Sequence, residues 1–579
     1  MKRITLSILC VLVAFVVPIS ATQPNIIVVM PDDMGYGDLG VTGNSVIRTP
    51  NLDRFASESA ELSQFYVSPV CSPTRAALMT GRYNYRTRVI DTFKGRSMME
   101  PDEVTVAEML KSAGYATGIF GKWHLGDNHP LRPQEQGFDE VLIHRGGGLG
   151  QPSEPIANNR RYTDPILFRN GEQIQGKGYC TDIYFTEAMK WIKKQSDKDK
   201  PFFVYLPPNA PHSPYHDVPE KLLKHYQSID LDPILGDDKS AGHRDKVARV
   251  FAMVENIDQN MGRLDTFLTK NELKQNTLVI FLTDNGPNTR RYVGPFRGMK
   301  TEVHDGGIRS FFYARWPSQL PAGHQNDRIT AHIDITPTLL AAAGVSKPKG
   351  LKFDGRNVLP LLKGMPKNWK DRTLILQAHR GNEPIAEHHI AVRSQEWKLV
   401  HPTKFGRSAM PTDVPFELYR IMEDVDESDN LAVKLPKRVK QMRNTYAKWL
   451  ADIAATRENT FAPPNISVGV DAEPVTDLSP QDWRVAPDSQ GWGEGGKWHI
   501  AVKSPGPYEV DVRFVEAPGA RQIQVQIGDR SFPTKLNGNQ SKVSVNVPKL
   551  PLGPTTVQVR STPPFKRSTS PRFVTFRQK

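Results

Sequence analysis

Ile26-Ile27-Val28-Val29-Met30-Pro31-Asp32-Asp33 decides the fold of this 579-residue chain. Five apolar residues in an unbroken run, four of them β-branched, fit a strand buried on both faces. Pro31 closes the run, and two carboxylates follow just past its carboxyl end. The same arrangement recurs three times. Ala116 to Phe120 runs into Gly121-Lys122-Trp123-His124, Phe202 to Leu206 leads to Pro211-His212, and Leu278 to Leu282 leads to Asp284-Asn285. Helical stretches are predicted between these runs, over Pro50 to Phe65, Val104 to Ala113, Ile183 to Lys194, Val247 to Thr269 and Ile335 to Ala343. Such alternation predicts an α/β fold. Ligands of open α/β sheets bind beyond the carboxyl ends of the strands. One Asp-Asp pair after a strand is an ordinary turn; four polar endings in one sheet would converge on a site.

Working outward, residues 22–370 form this α/β unit. Residues 371–461 read as a smaller α+β unit, with strands near Leu374 to Gln377, His389 to Val392, Lys398 to His401 and Glu417 to Ile421, closed by a helix from Lys437 to Ile453. Beyond Pro463-Pro464 the pattern alternates strictly, as in Val510-Asp511-Val512-Arg513-Phe514 and Ile523-Gln524-Val525-Gln526-Ile527. Residues 462–579 therefore read as an antiparallel β-sandwich. Trp483, Trp492 and Trp498 are either sugar-stacking platforms or core.

Residues 1–21 have the form of a secretory leader: Lys2 and Arg3, the apolar run Ile4 to Val17, then small residues at Ser20-Ala21. The run is short for a membrane span, so no stable membrane anchor is expected, and export to the periplasm or the cell exterior is. Removing the leader would leave two cysteines, Cys71 and Cys180. Paired, they would form a disulfide; otherwise Cys180 is a small buried residue. Hydrophobic residues make up 38%, which excludes a disordered or membrane-embedded chain. The formal net charge is +13, and between Arg521 and Lys579 eleven Lys or Arg face a single Asp. That balance favours an acidic partner, read here as a polyanionic glycan rather than nucleic acid.

Asp32, Asp33, Asp284 and Asn285 offer only oxygen. Gathered together they would repel unless a hard divalent cation sat among them, Ca²⁺ before Zn²⁺ because no His/Cys cluster accompanies them. Lys122, His124, His212 and Lys300 supply cations and proton carriers suited to a tetrahedral anion. Cys71-Ser72-Pro73-Thr74-Arg75 sets a thiol at the mouth of a helix predicted over Pro73 to Thr80, where exposed amides favour negative charge. A thiol there is expected to be a low-pKa nucleophile.

In this order, the motifs Asp32-Asp33, Cys71-Ser72-Pro73-Thr74-Arg75, Gly121-Lys122-Trp123-His124, Pro211-His212, Asp284-Asn285-Gly286 and Lys300 to Arg309 resemble the type I, formylglycine-dependent sulfatases. The resemblance covers roughly residues 24 to 455. It implies an arylsulfatase-like sulfuric ester hydrolase with an alkaline-phosphatase-like α/β/α sandwich around a mixed sheet, followed by a four-stranded α+β subdomain. It also implies that a maturation enzyme oxidises Cys71 to formylglycine, whose hydrate attacks a sulfate monoester, with a sulfated carbohydrate the expected substrate. Carried over by position, Asp32, Asp33, Asp284 and Asn285 would hold Ca²⁺ together with an oxygen of the residue 71 hydrate. Arg75 would stabilise that hydrate, while Lys122, Lys300 and His212 would grip sulfate and His212 or Lys300 would assist the leaving group. His124 would take a proton from the second hydroxyl and so release sulfate. The alternatives are a phosphonate or phosphate ester hydrolase on the same fold, and an inactive relative that binds sulfated glycans. The chain departs from the family at Thr74, at Asp305 in Asp305-Gly306-Gly307, and at Arg145 to Gly150, where the active-site serine of some members has no clear counterpart.

Overall fold

The protein was analysed as a computed structural model that describes residues 23–158, 160–365, 368–457, 461–489 and 491–579. The leader expected over residues 1–21 lies outside them. Among the described residues the central sheet has ten strands: β1 (Asn25–Val29), β2 (Ala60–Leu62), β3 (Ala116–Lys122), β4 (Glu140–His144), β5 (Ile166–Arg169), β6 (Glu172–Gln175), β7 (Phe202–Leu206), β8 (Thr277–Leu282), β9 (Phe312–Arg315) and β10 (Gln325–Asn326). Their order is β10-β2-β9-β8-β1-β7-β3-β4-β5-β6. The run from β8 to β4 is parallel, and antiparallel pairs flank it on both sides.

Side chains alternate across a strand, so a continuous apolar run feeds two cores. On one face Ile27 and Val29 pack with Ala188 of α4 (Cys180–Ser196) and Phe251 and Val254 of α5 (Ala241–Lys270). On the other, Ile26 and Val28 pack with Ala76 of α2 (Cys71–Thr80), Val106 of α3 (Val106–Ser112) and Leu339 of α6 (Ile335–Ala343). Two layers of helices therefore cover the sheet, an alkaline-phosphatase-like α/β/α arrangement.

Two local expectations need correction. The helix expected over Pro50 to Phe65 ends at Ser57, as α1 (Pro50–Ser57), and Ala60–Leu62 becomes β2. Pairing of Ala60 and Glu61 with Ala314 and Tyr313 outweighs the helical spacing. The helix expected from Pro73 starts two residues earlier, at Cys71, with the extended Val70 before it. Pro73 then stands third in the helix, where an N–H has no helical partner either.

The second sheet is antiparallel, in the order β11 (Leu374–Gln377), β12 (Ile390–Arg393), β13 (Lys398–His401) and β14 (Glu417–Tyr419). Helix α7 (Pro436–Ala454) covers it through Met442 and Tyr446. The last sheets, of five and four strands, face each other as a β-sandwich. It is antiparallel except for one edge, where Ile466–Val468 runs parallel to Ile500–Val502. Trp483 and Trp498 are core residues with ring centroids 5.2 Å apart, which removes them as stacking platforms. Trp492 meets Phe93 edge-to-face at 4.9 Å. Met98 and Leu131 of the first unit enter the sandwich core, so the two share apolar packing.

Candidate functional site

Strands β8, β1, β7 and β3 are consecutive neighbours and all parallel, so their carboxyl ends share one rim. Backbone hydrogen bonds tie the loops beyond that rim together. The Asp32 amide donates to the Ala210 carbonyl at 3.1 Å and the Lys122 amide to the Pro207 carbonyl at 2.7 Å. The Lys300 amide donates to Pro287 at 3.0 Å, and Thr301 to Pro69 at 2.9 Å, just before α2. Residues from five separated segments thus arrive around the first turn of α2.

Arg75 is fully buried and grips Asp284 with Nε at 3.1 Å and a terminal nitrogen at 2.7 Å. Its other terminal nitrogen donates to the Lys122 carbonyl at 3.1 Å and the Tyr205 hydroxyl at 3.3 Å. Lys122 Nζ reaches Asp32 at 2.6 Å. Lys300 Nζ bonds Asp33 and stands 3.4 Å from Cys71 Sγ. His212 Nε2 lies 3.8 Å from Asp33. The Asn285 amide donates to Asp33 at 2.8 Å, and Asp284 accepts the Asp33 amide at 3.2 Å. Asp32, Asp33, Asp284, Asn285, Cys71, Arg75, Lys122, His212 and Lys300 are therefore one connected cluster.

Three of its oxygens, on Asp32, Asp33 and Asn285, are buried without a hydrogen-bond partner. Ligand atoms of Asp32, Asp33 and Cys71 lie within 4.8 Å of one another. Orphaned buried oxygens cost free energy unless something satisfies them. A set of three carboxylates and an amide, offering only oxygen, suits a hard cation. Burial and the neighbouring Asp32 push the Asp284 carboxyl up to about 6, a measure of that crowding.

Cys71 corrects one expectation. Burial pushes its thiol up to about 11, and Lys122 and Lys300 offset only part of that. At neutral pH the group is a thiol, not a thiolate, and a poor nucleophile. Both Cys71 and Cys180 are buried and unbonded, so the alternative disulfide is absent.

His124 sits past β3 in the left-handed region, at φ 63°. Its Nε2 is 2.7 Å from the Thr92 carbonyl, which can only accept, so Nε2 bears the proton. Nδ1 is then a buried lone pair without a partner. Burial and the adjacent Lys122 hold the imidazole well below its usual pKa. His212 is ordered the same way: Nδ1 donates to the Ser213 carbonyl at 2.7 Å, and burial brings the ring down to about 4. No direct bond links His124 to the rest of the cluster; it approaches through the glycine-rich loop. A Cβ on Gly147 would stand 2.4 Å from the His124 ring, and one on Gly148 2.8 Å from that of His212. The two imidazoles are packed against glycine backbone, which explains the glycines at 147 and 148 within Arg145 to Gly150.

Sequence reasoning missed Thr92 and Gln481. The Thr92 carbonyl also accepts from Gln481 of the β-sandwich, at 3.0 Å. No motif marks a backbone acceptor, and Gln481 is 389 residues away in sequence. Asp305 pairs with Lys398 at 2.6 Å and Arg309 at 3.1 Å, behind the site rather than in it.

Comparison with known proteins agrees with this geometry. Residues 24–345 match the family model described as Sulfatase, and residues 299–455 match the C-terminal model of N-sulphoglucosamine sulphohydrolase. Canine N-acetylgalactosamine-6-sulfatase is 33% identical over 370 residues, covering 59% of this chain and 66% of that protein. Mouse arylsulfatase G is 31% identical over 386 residues, covering 59% and 70%. The crystal structure of Ps i-CgsB in complex with k-i-k-neocarrahexaose superposes with a TM-score of 0.65 at 27% identity, covering 76% of this chain and 95% of that one. With a family model spanning more than half of its length and that family's motifs meeting at one sheet rim, the chain belongs to the sulfatase family of the alkaline-phosphatase-like superfamily.

Proposed function

We propose that the protein is an exported sulfatase that hydrolyses sulfate monoesters of a sulfated carbohydrate. One observation carries this reading. Residue 71 opens a buried helix with its side-chain atom 3.4 Å from Lys300 Nζ and beside the unpartnered oxygens of Asp32 and Asp33. Two relatives named for sugars, the N-acetylgalactosamine-6-sulfatase and the neocarrahexaose complex, support a carbohydrate substrate. The leader-like residues 1–21 support export to the periplasm or beyond. No helix of the described residues is long and apolar enough to cross a membrane.

Cys71 converted to formylglycine, by a maturation enzyme reading Cys71 to Arg75, would supply a hydrated aldehyde as nucleophile where the thiol would be inert. Asp32, Asp33, Asp284 and Asn285 would hold Ca²⁺, which supplies positive charge for a sulfate oxygen. Arg75, fixed by Asp284 and the Lys122 carbonyl, keeps a guanidinium beneath residue 71. Lys122 and Lys300 present ammonium groups to the sulfate oxygens, where charge grows in the transition state. Lys300 Nζ, or His212 Nε2 once its ring carries a second proton, would donate to the bridging oxygen as it leaves. His124 Nδ1, with its lone pair free, would be the base for a proton of the residue 71 hydrate.

Comparing 4-nitrophenyl sulfate with 4-nitrophenyl phosphate tests the reading. Sulfate turnover should exceed phosphate turnover; the reverse order would favour the phosphate or phosphonate hydrolase. No turnover of either, with residue 71 fully converted, would leave a glycan-binding relative.

A further inference from the structure

The β-sandwich and the sulfatase fold border an open cavity of about 550 Å³. Its described walls are Phe93, Lys94 and Arg96, Arg380, residues 406–411, and residues 487–489 with Gly491 of the sandwich. Lys94, Arg96, Arg380 and Arg407 line it, with Asp488 the one carboxylate among the described wall residues. Asp91, behind the wall, accepts from Arg380 at 2.7 Å and stands 3.6 Å from Arg96. Positive charge remains in excess. Arg407 is exposed and its guanidinium has no partner among the described residues. Lys94 is buried, donates to the Ser489 carbonyl at 2.5 Å, and is brought down to about 8 by burial and by Arg96 and Arg380. Crowded cations of this kind are relieved by an anion, and planar guanidinium groups match sulfate and carboxylate oxygens.

Two chain segments connect the cavity wall to the candidate active site. Phe93 follows Thr92, whose carbonyl receives His124. Phe405 precedes Gly406 and packs on Val70, the residue before Cys71. The Phe93 ring is clamped between the Arg380 guanidinium, at 4.2 Å, and Trp492. The volume falls within the range of ligand pockets, roughly 300–1,000 Å³, and is larger than an isolated sulfate needs.

We propose that this cavity is a subsite for a second anionic group, sulfate or carboxylate, on the sugar next to the one whose sulfate ester is cleaved. The β-sandwich then selects substrates by length and charge pattern. This rests on the sulfatase reading of residue 71.

The test is calorimetric titration of the full-length protein with a sulfated dextran hexasaccharide and, separately, a carboxymethylated one. Arg407→Ala and Lys94→Met should each weaken binding about tenfold, the loss of one charge-assisted contact. Lys549→Ala, on the sandwich outside the cavity wall, should change it less than twofold. Arg407 bonds its neighbours only through its backbone, to Lys404 and His388, and Ala keeps those bonds, so that variant reads binding even where Lys94→Met disturbs folding. Weakening confined to the sulfated probe assigns sulfate; equal weakening of both assigns either anion. Unchanged affinity in Arg407→Ala, or an equal loss in Lys549→Ala, overturns the subsite. Turnover of 4-nitrophenyl sulfate is scored separately, so failure of the sulfatase reading leaves the binding comparison intact.

Discussion

His124 and Gln481 donate to the same acceptor, the Thr92 carbonyl, at 2.7 and 3.0 Å. One belongs to the candidate active site and the other to the β-sandwich. The sandwich therefore holds the carbonyl that fixes which His124 nitrogen is left to take a proton. Gln481 also bonds Ser97 at 3.2 Å, which anchors its amide. Gln481→Met keeps the volume and removes the donor. Turnover of 4-nitrophenyl sulfate should fall about tenfold with KM little changed, because a reacting group is misplaced rather than a binding group lost. A fall in kcat that merely follows the folded fraction would show that Gln481 is structural.

Gly147→Ala tests the packing of His124 directly. A methyl 2.4 Å from the ring must displace it. Displacements near 1 Å cost on the order of 10²-fold in rate. Activity should drop by about that factor while the melting temperature moves little, since the loop lies at the rim rather than in the core. Full activity in this variant would remove His124 from the reaction.

His212 and Lys122 should separate in their effects on folding. Lys122 is wholly buried against Asp32, so Lys122→Ala leaves that buried carboxylate with only Arg75, 4.0 Å away, as a cation partner, at a cost of about 3 kcal/mol. His212 has a 3.8 Å approach to Asp33 and one bond to the carbonyl of its neighbour Ser213, and removing it strands no buried charge, so His212→Ala should fold normally and lose activity by roughly 10²-fold or more. Thermal unfolding beside kinetics distinguishes the two. Equal losses of stability would mean that His212 is a structural group.

Chelation tests the oxygen cluster. Removing Ca²⁺ should leave Asp32, Asp33 and Asp284 crowded, lowering both activity and unfolding temperature, with Ca²⁺ restoring both and Zn²⁺ failing to. An enzyme indifferent to EGTA would show that Lys122, Lys300 and Arg75 alone balance the carboxylates.

The sheet and its rim were legible because burial on both faces writes itself into sequence. Ile26 to Met30 could not be half-exposed, and Asp32 had to fall beyond the strand end. The cluster from Asp32 to Asn285 followed because its members lie just past such a strand or on the helix it packs on, whereas Lys300 stands well beyond Leu282 in a loop held by its amide bond to Pro287. Local pattern failed where tertiary pairing decided the outcome, as at Ala60–Leu62, which pairs with a strand some 250 residues later. The thiol of Cys71 was misjudged because the helix-end argument counts exposed amides, whereas every residue of α2 is buried. Gln481 was invisible for a different reason: it acts on a backbone carbonyl, and such contacts leave no trace in residue type.

The central claim is that residue 71 is not a working cysteine but a converted one, set among the oxygens of Asp32 and Asp33. Mass spectrometry of the tryptic peptide Phe55–Arg75 from the natively expressed protein measures this directly. The account predicts a mass about 18 Da below that of the thiol form, with 4-nitrophenyl sulfate turnover proportional to the converted fraction. An intact thiol in fully active protein would contradict it.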